Sequence, residues 1–233
     1  MSEQELRQET DEIAELFWNE EVSDEEILTR IKAIPEVIHE LLPSEENLFL
    51  ESVLADRFEI TKVLVEMGAD IHLNCESDFT RGNALNVAHS PEQADYLLSL
   101  GLEIEKNLSV REDFWNPAIM AVRHNEKRMV LYWLNKQKVL FAEEKEFIEA
   151  LINETIYQVT IMNQCDMLAC IMADDELYQV MKEIYSKVDN MSSVKLILGS
   201  LRQIKDEALE GKKKELRKIL NDKKRREGNH EDN

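Results

Sequence analysis

Between residues 47 and 134 the chain repeats a two-part pattern with a period near 33. Asn47-Leu48-Phe49-Leu50-Glu51-Ser52-Val53 aligns with Gly82-Asn83-Ala84-Leu85-Asn86-Val87-Ala88 and with Trp115-Asn116-Pro117-Ala118-Ile119-Met120-Ala121. The small-residue anchors Val53, Ala88 and Ala121 stand 35 and 33 apart. A second amphipathic stretch follows each segment, and the central residues Leu64, Leu97 and Trp133 are 33 and 36 apart. Two successive helices that share one period constrain the fold strongly. Such a pair buries its apolar face only by stacking on its neighbours.

The rest of the chain also reads as helix. Ile13, Leu16 and Phe17 recur at helical spacing, and Ser23-Asp24-Glu25-Glu26 is a capping box ahead of Ile27, Leu28 and Ile31, with Pro35 expected to break the stripe. Residues 1–44 are therefore read as capping helices, 45–140 as the repeats, 141–226 as a C-terminal helical region and 227–233 as a disordered tail. Six Gly and four Pro in 233 residues leave little material for loops. The stretch from Glu207 to Arg226 has only Leu209, Leu216, Ile219 and Leu220 to bury, and reads as a solvated helix that frays. The fold class is all-α, a solenoid of stacked helix pairs flanked by terminal helices.

Val63-Leu64-Val65-Glu66-Met67-Gly68-Ala69-Asp70-Ile71 and Tyr96-Leu97-Leu98-Ser99-Leu100-Gly101-Leu102-Glu103-Ile104 make the pattern more specific. These segments resemble the ankyrin repeat, whose second helix ends in a Gly-Ala-Asp turn. Gly68 and Gly101 are placed to supply its left-handed cap. In the middle unit Ser90 and Pro91 stand where the loop between paired helices belongs, which shortens it. Gln137 replaces the expected Gly in the third unit, so regular repeats are expected to end there. The resemblance implies a concave binding surface made of first helices and connectors, here His72 to Gly82 and Glu105 to Asn116. Asp78, Phe79 and Arg81 in one connector, and Glu112, Asp113 and Trp115 in the other, combine aromatic and charged side chains as protein-binding hot spots do. Phe114 and Trp115 have the alternative of tucking between helices. His89 and His124 follow successive first helices and either face one groove or hydrogen-bond local backbone.

Catalytic motifs are not visible, and the scattered glycines build no phosphate loop. The five histidines and three cysteines show no metal-ligand spacing, so no metal and no cofactor are expected. Cys75, Cys165 and Cys170 form no disulfide framework, and the last two are read as buried structural thiols. With no secretory leader and an apolar run of only seven residues, Met167 to Ala173, a cytoplasmic protein without membrane contact is expected.

The formal charge of −20 disfavours direct nucleic-acid binding. Residues 1–26 carry −10, whereas residues 212–226 carry +7. The basic stretch reads as a solvated tail or an intramolecular clasp onto the acidic one. The acidity either serves solubility or draws a basic partner. The function expected is therefore noncatalytic protein binding through the concave face, by an acidic inhibitor or immunity-type protein that neutralises a basic partner or toxin. The alternative is an enzyme or effector with its activity in residues 141–226 and the repeats used for target recognition.

Overall fold

Ser2 and Ser23 open the first two helices. The Ser2 hydroxyl accepts from the Glu5 N–H while the Glu5 carboxylate accepts from the Ser2 N–H, completing a capping box on α1 (Glu3–Phe17). Ser23 accepts from the Glu26 N–H at the start of α2 (Asp24–Ala33), and Pro35 ends that helix in a 3-10 turn, Pro35–His39. The computed structural model describes residues 1–74, 82–106, 116–187 and 191–228, the side chains at 191–193 and 223–228 excepted. Among the described residues there are twelve α-helices and no β-strand. The chain forms two compact units, Met1–Met120 and Ala121–Asn233.

In the first unit, α3 (Leu48–Leu54) packs against α4 (Phe58–Met67). Leu48, Phe49, Leu50, Val53, Ile60 and Leu64 are buried between and beneath them. Each such side chain contributes about 1.5–3 kcal/mol through removal from water. Asp56, at φ 53°, turns the chain between the two helices, and the Arg57 N–H closes the turn on the Ser52 carbonyl at 2.9 Å. Gly68, at φ 89°, ends α4, and the Ala69 N–H reaches the Leu64 carbonyl at 3.0 Å. α5 (Pro91–Ser99) ends in the same way at Gly101, φ 90°. These are the two expected left-handed caps.

The middle first helix departs from expectation. Ala84–Val87 forms a 3-10 turn rather than an α-helix. Asn83 accepts from the Leu85 N–H, and Pro91 holds Ser90 extended at φ −134° and ψ 150°. Between those fixed points there is no room for a full α-helical segment. The boundary between the units falls in α6 (Pro117–Arg123).

The second unit contains α7 (Lys127–Leu140), α8 (Lys145–Ile161), α9 (Cys165–Ala173), α10 (Asp175–Lys187), α11 (Met191–Gln203) and α12 (Glu210–Gly228). α7 runs on through the buried Gln137, as the missing Gly allows. Asn125 (φ 59°) and Asn163 (φ 55°) make the same turn as Asp56, with Glu126 N–H on Ala121 and Gln164 N–H on Val159. The α8–α9 pair is thus joined like α3–α4.

α12 is not a fraying solvated helix. Leu216 and Leu220 are fully buried, and the long cationic side chains are used inside the unit. Lys213 is buried and donates to the Ile204 carbonyl at 2.6 Å, Arg217 donates to Leu201 at 2.9 Å, and Lys212 donates to Met172 at 2.8 Å. These carbonyls lie at or just beyond the C-terminal ends of α11 and α9, where positive charge is favoured. The tail read as disordered from 227 begins inside α12, and residues 229–233 lie outside the described residues. Cys165 and Cys170 are free and half-buried rather than buried.

Candidate functional site

Asn47, Asn83 and Asn116 occupy equivalent places at the starts of α3, the 3-10 turn and α6. Each side-chain oxygen accepts from a first-turn N–H, of Leu50, Leu85 and Ala118 respectively. Each side-chain nitrogen then donates to a backbone carbonyl in a turn that follows a second helix. Asn47 reaches Asp70 at 2.7 Å, Asn83 reaches Glu103 at 2.9 Å and Asn116 reaches Glu105 at 3.1 Å. Asp70 and Glu103 both stand two residues after a capping glycine. Asn47 and Asn83 thus hold turns 23 and 20 residues ahead of them, whereas Asn116 reaches back 11 residues to the start of its own connector. Asp70 adds a further lock by accepting from the His72 N–H at 2.9 Å.

Asp78, Phe79, Arg81, Glu112, Asp113 and Trp115 lie outside the described residues. The structure thus places the ends of both connectors. His89 is half-buried, its ring nitrogen 2.9 Å from the Leu54 carbonyl at the end of α3 and its backbone N–H on Gln93 Oε1 at 2.9 Å. The ring thus bonds a backbone carbonyl 35 residues away on α3, not the local backbone that was one of its two expected roles. His124 is exposed in the turn after α6 and belongs to the second unit.

Beside His89 the first unit carries a cleft of about 520 Å³ lined by Trp18, Glu20, Asp56 and Arg57 among others. Trp18 is 59% exposed, a large aromatic surface just past the end of α1. Its indole N–H is held by Glu51, a buried residue of α3. Arg57 is consumed structurally: it donates to the carbonyls of Phe17 at 2.8 Å and Asn19 at 2.7 Å, and pairs with Asp24 at 2.9 Å. The cleft therefore offers an oriented aromatic ring and acidic edges on a fixed frame. Sequence reading missed Trp18, whose only signal was a Trp immediately beyond the apolar stripe Ile13, Leu16 and Phe17.

Glu51 is unusual chemically. Burial and a shared hydrogen bond with the buried Glu46 push its carboxyl from the ordinary 4.5 to about 7. Glu46 also accepts from the Ser44 hydroxyl at 3.1 Å. Burial and the neighbouring Glu46 thus favour the protonated form of Glu51, against the indole of Trp18.

On α1, α2 and the turn between them, Arg30 pairs with Glu9 and Glu12, while Glu15, Glu20, Glu21, Glu25 and Glu26 are exposed and make no ion pair among the described residues. The acidity of residues 1–26 is thus largely a solvent-facing field. Among the described residues no cluster of His, Cys, Asp and Glu is arranged to hold a metal ion. No described helix is long and apolar enough to cross a membrane. No family model, no curated protein and no solved structure matches this chain.

Proposed function

We propose that the chain is a noncatalytic protein-binding protein. Its first unit is built of degenerate ankyrin-like helix pairs, and it recognises a basic protein through the connectors 72–82 and 105–116. The observation that supports this reading best is the repeated asparagine clasp at Asn47, Asn83 and Asn116, which fixes the connector roots to the helices. Fixed roots present loop residues with less ordering cost on binding, the advantage that rigid scaffolds give to recognition loops. The exposed acids of α1 and α2 add a long-range field that speeds encounter with a basic surface. An acidic inhibitor or immunity-type protein works in this way, by occluding its partner through surface complementarity.

The test is affinity capture at low and at physiological ionic strength, identification of what is retained, and titration of the purified partner. Phe79→Ala or Trp115→Ala should weaken binding by about 2 kcal/mol or more, roughly thirtyfold, with an unchanged melting temperature. If both variants fold normally and bind with unchanged affinity, the connectors are not the recognition edge.

A further inference from the structure

The second unit has a concavity of its own. α8, α10 and α11 enclose a cleft of about 330 Å³, a size at which pockets accept ligand groups. Ile156, Ile184 and Ile197 form its apolar walls. Tyr157 and Leu196 stand at its mouth, 47% and 41% exposed, and Ile161, one turn beyond Tyr157 on α8, is 43% exposed. Single exposed apolar residues need no explanation, but a group of them around a concavity marks an interaction surface.

Tyr185 lines the same cleft and supplies an independent observation. It is 1% exposed, and its hydroxyl has no hydrogen-bond partner. The Thr160 hydroxyl, also in the lining, donates to the Ile156 carbonyl at 2.7 Å and lies beside the phenol without completing a hydrogen bond to it. Burial keeps the phenol protonated, so it remains a donor. A buried donor left without an acceptor is costly, and phenylalanine would fill the same space without that cost. The hydroxyl is thus available to an acceptor brought by an occupant of the cleft.

Charge identifies the occupant. Glu146 and Glu149 line an adjoining groove that shares Asn153 and Ile184 with the cleft, and Glu154 lines the cleft itself. Among the described residues of the two linings, one ammonium, that of Lys187, stands against these three carboxylates. An anionic ligand is repelled there, while a cationic segment with an apolar face is complementary.

We propose that the cleft between α8, α10 and α11 docks a basic amphipathic segment of a partner protein. An apolar side chain of that segment enters between Ile156, Ile184 and Leu196, a carbonyl accepts from Tyr185, and flanking Lys or Arg residues meet Glu146, Glu149 and Glu154. This rests on the protein-binding reading but uses the second unit of the chain rather than the first.

The probe is a synthetic leucine–lysine amphipathic peptide of about five helical turns, with a leucine–glutamate peptide of the same apolar face as control. It is titrated into the full-length protein at physiological ionic strength with methyl resonances observed. Shifts concentrated on Ile156, Ile184, Leu196 and Ile197 are expected, together with an affinity loss of about tenfold or more in the Tyr157→Ser, Leu196→Ser double variant. Tyr185→Phe should melt no lower than the wild type and bind about threefold or more weakly, because it removes only the donor. Equal binding of the glutamate peptide, or shifts spread over the acidic helices with unchanged affinity in these variants, overturns the proposal. A concentration-dependent dimer that is abolished by Leu196→Ser also overturns it, since the occupant is then a second copy. Phe79→Ala and Trp115→Ala should bind the peptide normally, so failure of the connector reading and failure of this one give different results.

Discussion

Glu51→Gln should stabilise the first unit at neutral and alkaline pH and leave it unchanged in acid. Glu51 lies buried on α3, is hydrogen-bonded to Glu46 and accepts from the Trp18 indole. Its carboxyl titrates at about 7 in the folded chain against an ordinary 4.5. The sign follows from that order. Below about pH 4.5 both states are protonated, and the folded state keeps its full advantage. Between 4.5 and 7 the unfolded chain ionises while the folded chain holds its proton, so stability falls; above 7 the loss is complete. At 1.36 kcal/mol per pH unit the gap sets a ceiling of about 3 kcal/mol, and the interaction with Glu46 reduces it to roughly 1–3. Glutamine keeps the shape, still accepts from Trp18 and donates to Glu46 without carrying charge. The assay is thermal denaturation followed by circular dichroism from about pH 5 to 8, with Glu15→Gln on exposed α1 as a control for general charge relief. The wild type should lose several degrees across that range beyond the loss shared with the control, and Glu51→Gln should not. A Glu51→Gln protein less stable than wild type at pH 8 would mean that the ionised carboxylate is needed, and the account of a buried, protonated Glu51 would fall.

Gly68→Val should cost at least about 1 kcal/mol, read as a lower melting temperature, because φ of 89° strains any side chain although nothing lies within 4 Å of the added Cβ. Asn116→Ala removes both the cap on α6 and the clasp on Glu105 and should cost about 1–2 kcal/mol in denaturant melts. Asn116→Asp keeps the cap alone and should fall between alanine and wild type. Lys213→Met, which leaves the Ile204 carbonyl uncapped, should lower the melting temperature of the second unit, whereas exposed Lys214→Ala should change stability by less than about 0.5 kcal/mol.

Several helix boundaries were legible because their signals are local. Ser23 and Ser90 announce helix starts through their own first turns, and Gly68 and Gly101 announce helix ends through a conformation that other residues avoid. The 3-10 turn at Ala84–Val87 was not legible, since its apolar residues fit a helix and only the closeness of Asn83 to Pro91 rules one out. The docking of α12 was hidden for a different reason. Lys213 and Arg217 look solvated in sequence, and their acceptors are carbonyls of α11 and the turn after it, which carry no side-chain signature. The same holds for the asparagine clasps, where Asn47 and the carbonyl it holds are 23 residues apart. The exposed ring of Trp18 and the α8–α10–α11 cleft arise from packing between helices, which periodicity alone does not report.

The hydrogen bond between Asn116 and the Glu105 carbonyl ties together the two ends of one connector. A loop pinched at its base is insulated from the body that carries it. Lengthening it then costs chiefly closure entropy, about 0.6 kcal/mol for each doubling, and leaves the helices untouched. Insertions and exchanges between Lys106 and Trp115 can therefore accumulate without eroding the scaffold, as long as Asn116 is kept. The clasp works as a module boundary, across which length and content can change without rebuilding the core.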